Sequence, residues 1–309
     1  MSVSKVYFTD FHTKAFGDGL PTKLKKLIRA AGIQKLDLDG KFVAIKMHFG
    51  ELGNVSFLRP NYARAVVDVV KELGGRPFLT DCNTMYPGSR KNALEHLECA
   101  WQNGFTPLTV GCPILIGDGL KGTDDVEVHV AGGEYVEKAK IGRAVMDADV
   151  FISLTHFKGH TMGGFGGSLK NIAIGCASGK TGKAQLHSDG TNLWAGGPLF
   201  MERMVEGGKA ITTHFKGHMA YINVLRRMSV DCDCAGTGAA EPTAPDIGIL
   251  ASTDLLAVDQ ASVDMVYALP ERQRHDLVER IESRSGLRQL EYMEALGMGH
   301  ARYDLVSLS

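Results

Sequence analysis

The chain of 309 residues has little of several features that mark particular protein classes. Cysteine is scarce, and six residues in so long a chain are too few for a secreted disulfide framework. Charge of one sign is not in excess either, because 34 basic and 35 acidic residues leave a net charge of -1. The chain as a whole therefore offers no basic field for a nucleic acid or an anionic membrane.

Long apolar runs are also missing. The opening stretch MSVSKVYFTDFHTK has no apolar segment typical of a signal peptide, and no later segment approaches the ~20 apolar residues of a membrane-spanning helix. We therefore expect a cytoplasmic protein without nucleic-acid or membrane partners, which binds a small anionic molecule and can form a homo-oligomer.

The order of apolar segments predicts an α/β fold with mostly parallel sheets flanked by helices, in two lobes with the site between them. Strands at Phe42–His48 and Pro77–Asp81, for example, are separated by a helix that begins at Pro60. After Pro107 the pattern is less regular, and alternating valines at 126, 128 and 130 predict an antiparallel element. We expect lobes at residues 1–115 and 116–309, with one continuous unit, 1–309, as the alternative. A short helix is predicted at Ile141–Met146.

Ionisable side chains stand where these strands end. Lys46, His48 and Asp81 lie at the carboxyl ends of two predicted parallel strands, where ligands of such sheets gather. Lys46 is expected to bind an anion, and His48 and Asp81 to bind a metal. Asp81 is equally compatible with a turn, since Asp satisfies local backbone donors.

A third strand, residues 149–155, leads into His156, Lys158 and His160. Their two-residue spacing places all three on one side of an extended backbone. This arrangement predicts an anion or metal site, with His156 and His160 as catalytic groups and Lys158 as an anion ligand. The alternative is three solvated side chains on a loop.

Glycine is abundant, with 37 residues, and several of them follow this strand in a loop that leads into a helix. Backbone N–H groups there, and the helix N-terminus, are expected to bind an anion. The predicted anion ligands are Gly163, Gly164, Gly166, Gly167, Ser168 and Asn171. The spacing fits neither the dinucleotide fingerprint nor the P-loop, so no nucleotide cofactor is supported. Close packing of the helix on the sheet also explains some of these glycines.

Lysines continue the positive cluster beyond the glycines. A lysine beside other cations loses its proton more easily, and Lys170 is therefore predicted to be a catalytic nucleophile or base. Lys180 and Lys183 fit this cluster and a solvated charged face equally well.

Cys232 and Cys234 are separated by one residue, a spacing at which two thiolates can hold one metal ion. The flanking Asp231 and Asp233 are expected to raise the pKa of both thiols, so that a bound cation is needed to stabilise the thiolates. With His187, His48 and Asp81 these thiols predict a zinc or iron ion, or a cluster that also uses Cys176. An ordinary turn is the alternative. The four-cysteine ferredoxin run is absent.

Several longer motifs carry a resemblance to a known family. DCNTMYPGSRKNA, HFKGHTMGGFGGSLKNIAIGCAS, KAQLHSDG and PDIGILASTDLLAVDQASVD resemble the bacterial and archaeal family of unknown function labelled "uncharacterised Fe–S centre protein". The resemblance runs from about Lys41 to Val266. Many members carry a ferredoxin module ahead of the helix that begins here near Leu199, and this chain lacks it.

DADVFISLTHFKGHTMGGFGGSLKNIAIG is also similar, more remotely, to lactate racemase, the nickel-pincer enzyme. That similarity implies that Lys170 anchors a cofactor and that His156 or His160 is an acid/base group.

Taken with the residues, the first resemblance favours a metal- or iron–sulfur-dependent enzyme, most simply an oxidoreductase, that acts on a small anionic substrate. A racemase-like acid/base enzyme and a non-catalytic module that binds an anion or a metal are the alternatives.

Overall fold

A computed structural model describes residues 3–13 and 15–309. Met1, Ser2 and Lys14 of the opening stretch lie outside the described residues. The strands of the described chain are β1 (Ser4–Thr9), β2 (Phe42–Lys46), β3 (Arg76–Asp81), β4 (Ile114–Ile116), β5 (Asp125–His129), β6 (Lys138–Gly142), β7 (Val150–His156), β8 (Lys158–His160), β9 (Gly164–Gly166), β10 (Met219–Leu225), β11 (Gly248–Ser252) and β12 (Tyr303–Ser307).

Helices connect most of these strands. They are α1 (Leu20–Ala30), α2 (Pro60–Glu72), α3 (Ala93–Gln102), α4 (Pro107–Val110), α5 (Arg143–Met146), α6 (Ser168–Cys176), α7 (Gly182–His187), α8 (Pro198–His214), α9 (Leu255–Tyr267), α10 (Glu271–Ser283) and α11 (Arg288–Ala295). Short 3-10 helices lie at Ile33–Leu36 and Asp233–Gly238.

Eight strands form one sheet in the order β12-β1-β11-β10-β7-β2-β3-β4. Strands β10, β7, β2, β3 and β4 are parallel to their neighbours in that order, and β11 joins β10 and β1 by antiparallel pairing. The predicted α/β class, with a mostly parallel sheet flanked by helices, is confirmed. The adjacent strands β7, β2 and β3 bring His156, Lys46 and Asp81 to one edge of the sheet, because parallel strands end on the same side.

The two faces of the sheet belong to two apolar cores. In β2, Val43 and Ile45 face one core, which includes buried residues of α1 and α2, while Ala44 faces the other, which includes residues of α6, α8 and α9. This alternation follows from the two-residue period of a strand. Burial on both faces explains why the central strands are nearly continuous apolar runs.

The irregular region after Pro107 forms a hairpin. β5 pairs antiparallel with β6, and Val126 lies opposite Ile141. The expected antiparallel element is confirmed, but the helix predicted at Ile141–Met146 is wrong in its first part. Ile141 pairs as a strand residue, and α5 begins only at Arg143.

The expected boundary at residue 115 falls inside β4, and the main sheet takes strands from both sides of it. Within the part of the chain that the structure describes, no helix combines the length and the apolar composition needed to cross a bilayer.

Asp259, in α9, holds the start of α6. Its carboxylate accepts hydrogen bonds from the backbone N–H groups of Ser168 and Leu169, at 2.7 and 2.8 Å, and from the side-chain amide of Asn223 at 2.8 Å. Burial raises the pKa of Asp259 to about 6 in spite of these donors. The carboxylate thus satisfies helix N–H groups that would otherwise lack partners.

We predict that Asp259→Ala destabilises the fold by about 2–4 kcal/mol, because it leaves several buried donors without an acceptor. The free energy of unfolding from urea titration measures this change. Asp304→Ala, which removes an exposed carboxylate from β12, is the matched control, with an expected effect within about 0.5 kcal/mol. Equal effects of the two substitutions would contradict the role given to Asp259.

Candidate metal and anion site

A cavity of about 290 Å³ lies at the carboxyl ends of β2, β3 and β7. Its walls come from these strands, from β8, from α6 and α7, and from the segment that holds the two neighbouring cysteines. Its basic and imidazole-bearing side chains are Lys46, Arg90, Lys158, Lys170, Lys183, His48, His156, His160 and His187. The structure therefore brings most of the predicted site residues to one cavity.

Asp81 organises one wall of the cavity. One carboxylate oxygen lies 3.1 Å from Lys46 Nζ and the other lies 3.3 Å from Arg90 Nη1. Burial opposes its charge, but Lys46, His96 and Arg90 hold the pKa of Asp81 well below its usual range. Lys46 also donates to Asn171 at 2.9 Å. Asp81 and Lys46 are thus bound to each other, which leaves neither of them free for a ligand.

His156 and Lys158 are bound in the same way, to Asp233. His156 Nδ1 lies 2.9 Å from the Asp233 carboxylate, and its Nε2 lies 2.7 Å from the carbonyl oxygen of Arg226. Lys158 lies 3.3 Å from the same carboxylate and donates to the His156 carbonyl at 2.9 Å. Burial opposes the charge of Lys158, but Asp233 raises its pKa. Both ring nitrogens of His156 therefore have partners within the chain, and its expected catalytic role stays a prediction.

His160, Cys232 and Cys234 form a different kind of group. One ligand atom from each lies within 4.8 Å of the others, a geometry able to hold a metal ion. His160 Nδ1 accepts from the backbone N–H of Gly163 at 2.9 Å, so the ring proton lies on Nε2, which is hydrogen-bonded to Cys232. Burial and the nearby Lys170 lower the pKa of His160 to about 4, so its ring is neutral near physiological pH. Of the other predicted ligands, Asp81, His48 and His187 lie outside this group, as does Cys176.

The two thiols differ from each other. A hydrogen bond from Cys234 places the pKa of Cys232 well below its usual value against the effect of burial, with help from Lys170 and Lys158. The same contact and burial raise the pKa of Cys234. The expectation that Asp231 and Asp233 raise both pKa values is wrong for Cys232, because Asp231 pairs with Arg280 and Asp233 with His156 and Lys158.

Lys170 and His187 leave polar atoms open to the cavity. The partly buried ammonium of Lys170 has no hydrogen bond or ion pair to another described side chain. His187 Nδ1 donates to the carbonyl of Lys183 at 2.7 Å, so its Nε2 keeps a free lone pair. Burial lowers the pKa of His187 to about 4. Lys170 is therefore available to an anion, and His187 to a proton.

His48 shows a third open position. Its Nδ1 accepts from the backbone N–H of Gly50 at 2.9 Å, and its buried Nε2 has no partner among the described residues. A neutral ring that accepts at Nδ1 carries its proton at Nε2. Burial places the pKa of His48 well below its usual value, so this ring is a neutral donor.

The glycine-rich turn does not present its helix N-terminus to the cavity. The first N–H groups of α6 donate to Asp259, and Ser168 Oγ donates to Asn223 at 2.8 Å. At Gly167 an added Cβ would lie 2.5 Å from the Asp259 carboxylate, so close packing explains this glycine. The backbone N–H of Gly163 donates to His160 Nδ1, and Asn171 Oδ1 accepts from Lys46. Of the anion ligands predicted in this turn and helix, Gly166, Gly167 and Asn171 line the cavity, whereas Gly163, Gly164 and Ser168 do not. Their binding of an anion stays a prediction.

Three residues of the site are not among the predicted site residues. Arg90 lies in one of the quoted motifs, and Asp233 is a neighbour of the two thiols in sequence. Lys183 fits two interpretations by its sequence, but it is buried with 6% exposure whereas Lys180 is exposed. The spacing of Lys183 and His187 on one helix turn was the available signal.

Comparisons with known proteins identify a relative of this chain and its family. The thylakoid-associated protein sll1697 of Synechocystis sp. is 28% identical over 228 residues, which are 71% of this chain and 60% of that protein. The chain thus spans less than two thirds of this relative's length.

Two solved structures are similar. The lactate racemase apoprotein from Thermoanaerobacterium thermosaccharolyticum has a TM-score of 0.46 and 13% identity, and the match covers 85% of this chain and 57% of that one. A Thermotoga maritima protein solved by structural genomics has a TM-score of 0.43 and 14% identity, with 66% and 49% of the two chains covered. This chain spans about half of each of these proteins.

A family model described as Domain of unknown function (DUF362) matches residues 43–264. The match covers most of the 309 residues and includes β2, β3, β7, α6 and both cysteines of the candidate metal group. The chain belongs to this DUF362 family.

Proposed function

We propose that the protein is a metal-dependent enzyme that acts on a small anionic substrate in this cavity. The observation that carries the proposal is the group of His160, Cys232 and Cys234, whose ligand atoms lie within 4.8 Å of one another at the cavity wall. Catalytic zinc sites keep three protein ligands and leave one position for water or substrate. One nitrogen and two sulfurs fit zinc or iron by ligand softness.

The electrostatics of the wall support an anionic substrate. Lys46, Arg90 and Lys158 are paired with carboxylates, but Lys170 is not, so its charge acts on whatever enters. A neutral N–H of His48 adds a donor that can bind an oxygen of the substrate. A volume of about 290 Å³ is sufficient for a small anionic molecule.

The group of His160, Cys232 and Cys234 must rearrange or lose protons when it binds a cation. His160 accepts two backbone hydrogen bonds at Nδ1, from Gly163 at 2.9 Å and Met162 at 3.2 Å. Its neutral ring therefore carries the proton at Nε2, and binding a metal there would require that proton to move to Nδ1, which gives up both backbone hydrogen bonds. The thiolate of Cys232 favours the cation, while Cys234 must also lose a proton. Metal binding is thus coupled to proton release.

The reaction class in this proposal depends on which metal ion is bound. A bound zinc ion supplies Lewis-acid chemistry, and a bound iron ion supplies electron transfer, which is the oxidoreductase form of the proposal. An iron–sulfur cluster is less well supported, because only two cysteines of the described residues belong to the group, whereas clusters typically use four. We place the protein in the cytoplasm, where thiols stay reduced.

We predict that the anaerobically purified chain binds about one zinc or iron ion per molecule, as measured by elemental mass spectrometry. The double variant Cys232→Ala/Cys234→Ala is expected to lose at least about nine tenths of it, because two of three ligands are gone. Cys112→Ala removes a buried thiol that lies outside the cavity and is expected to keep the metal. Less than about a tenth of an equivalent in the unaltered chain would sink the proposal.

A second candidate function, an acid/base enzyme acting on a small carboxylate, is favoured by one observation. His160 and His187 are both neutral but hold opposite tautomers, since Nδ1 accepts in the first and donates in the second. In such a pair one ring offers a proton at Nε2 and the other a lone pair. Lys170 perturbs the pKa of both rings and so lies near both. Removal of a proton by one group and its return by the other needs no metal.

This candidate predicts that chelator-treated protein exchanges the C2 proton of a small 2-hydroxy acid, which lies next to the carboxylate, with deuterated water. His187→Gln is expected to slow the exchange about 100-fold, as expected for loss of a general base. Proton NMR of the acid measures the rate. His214→Gln alters a histidine outside the cavity and should leave the rate unchanged. Exchange that requires added metal would favour the first proposal instead.

A further inference from the structure

The close packing of its helix directs the side chain of Lys183 into the cavity. Lys183 is the second residue of α7. This helix packs close to β6 because its first residue, Gly182, has no side chain: an added Cβ would lie 2.2 Å from the carbonyl oxygen of Lys140. The lysine side chain is directed into the protein, with 6% exposure, and lines the cavity.

Its amine has one partner, the carbonyl oxygen of Ala177 at 2.7 Å. The nearby carboxylates are engaged by other groups. Asp118 accepts from the backbone N–H of Asn83 at 2.9 Å and from that of Gly179 at 2.7 Å. Asp81 is held by Lys46 and Arg90. Within residues 3–13 and 15–309, no carboxylate lies within ion-pair distance of the Lys183 amine.

Burial without a counter-ion favours the neutral amine. Burial is also the main cause that lowers the pKa of Lys183, against the opposite effects of Cys82 and Asp118. The thiol of Cys82 is itself neutral, since burial raises its pKa. Desolvated lysines of this kind serve as nucleophiles toward carbonyl compounds.

We propose that Lys183 forms an imine with a small anionic carbonyl compound, a 2-oxo acid or an aldehyde acid, bound in the cavity. The inference rests on the proposed function in one respect, namely that the cavity admits small anions. It names the substrate class and adds a covalent step that the metal group does not require.

The step is balanced without an oxidant or a cofactor. The amine nitrogen forms a bond to the carbonyl carbon, and an amine proton passes to the carbonyl oxygen. The resulting hydroxyl then leaves as water with the second amine proton while the carbon–nitrogen double bond forms. The ammonium of Lys170 has no partner side chain and can hold the carboxylate of the substrate. His187 lies one helix turn after Lys183, with a free Nε2 that can take a proton from the carbon next to the imine.

The test is reductive trapping with glyoxylate and sodium cyanoborohydride, followed by peptide mapping of the full chain by tandem mass spectrometry. We expect modification at Lys183 to exceed that at the exposed Lys180 by at least about tenfold, because only a deprotonated amine in an anion site reacts quickly. Oxalate, which is anionic but forms no imine under these conditions, should protect Lys183.

Two variants separate reactivity from folding. Lys183→Arg keeps a long basic side chain and Lys183→Met keeps the length without the amine. Both should abolish the adduct while their thermal unfolding is checked. Lys180→Met is the control, with labelling of Lys183 unchanged.

Labelling that is spread over exposed lysines or absent at Lys183, while oxalate still raises the melting temperature, would overturn the imine and leave the anion site standing. If the purified chain contains no metal but Lys183 carries the reduced adduct, the metal proposal is wrong and the imine proposal remains. If the variants unfold, the map of the unaltered chain still decides.

Discussion

The buried carboxylate of Asp81 is the interaction on which the rest of the site depends. It stands at the end of β3 between Lys46, at the end of the adjacent strand, and Arg90, in the following loop. Removing one member of a buried ion pair leaves the other charge uncompensated, at a cost of about 3–5 kcal/mol. Asp81 therefore holds two cations at the cavity wall that could not be buried there alone. Through Lys46 it also fixes Asn171, and with it α6, against the sheet.

This arrangement divides the cations of the cavity into two sets. Lys46, Arg90 and Lys158 have carboxylate partners, so they shape the wall and contribute little net charge. Lys170 and Lys183 have none, and one is partly exposed while the other is buried. Lys170 is an electrostatic anchor, whereas Lys183 is suited to bond formation. Because the carboxylates serve the structural cations, they do not neutralise the two lysines that face a ligand.

The fold and the location of the site could be predicted from the sequence because both depend on local patterns. Apolar runs separated by helices imply parallel strands, and parallel strands bring Lys46, Asp81 and His156 to one edge. The roles of these residues could not be predicted, since they depend on partners far away in sequence. Asp259 is 91 residues from Ser168, and Asp233 is 77 residues from His156. Each carboxylate accepts hydrogen bonds from groups that the sequence pattern assigns to a ligand. Neither pairing can be recognised from the spacing of residues along the sequence.

Two chemically different groups share the cavity. The groups with the largest effects on the pKa of Cys232 are Cys234, Lys170, Lys158 and His160, and those with the largest effects on the pKa of Lys183 are Cys82, Asp118, Asp81 and Lys46. The thiol and the amine therefore lie in different electrostatic surroundings. A thiolate close to Lys183 would raise the pKa of the amine and remove its nucleophilicity. Lys170 stands between the two groups, as it affects the pKa of His160, His187 and Cys232 alike. A small anion held by Lys170 would share the cavity with the candidate metal ligands and with the buried amine of Lys183.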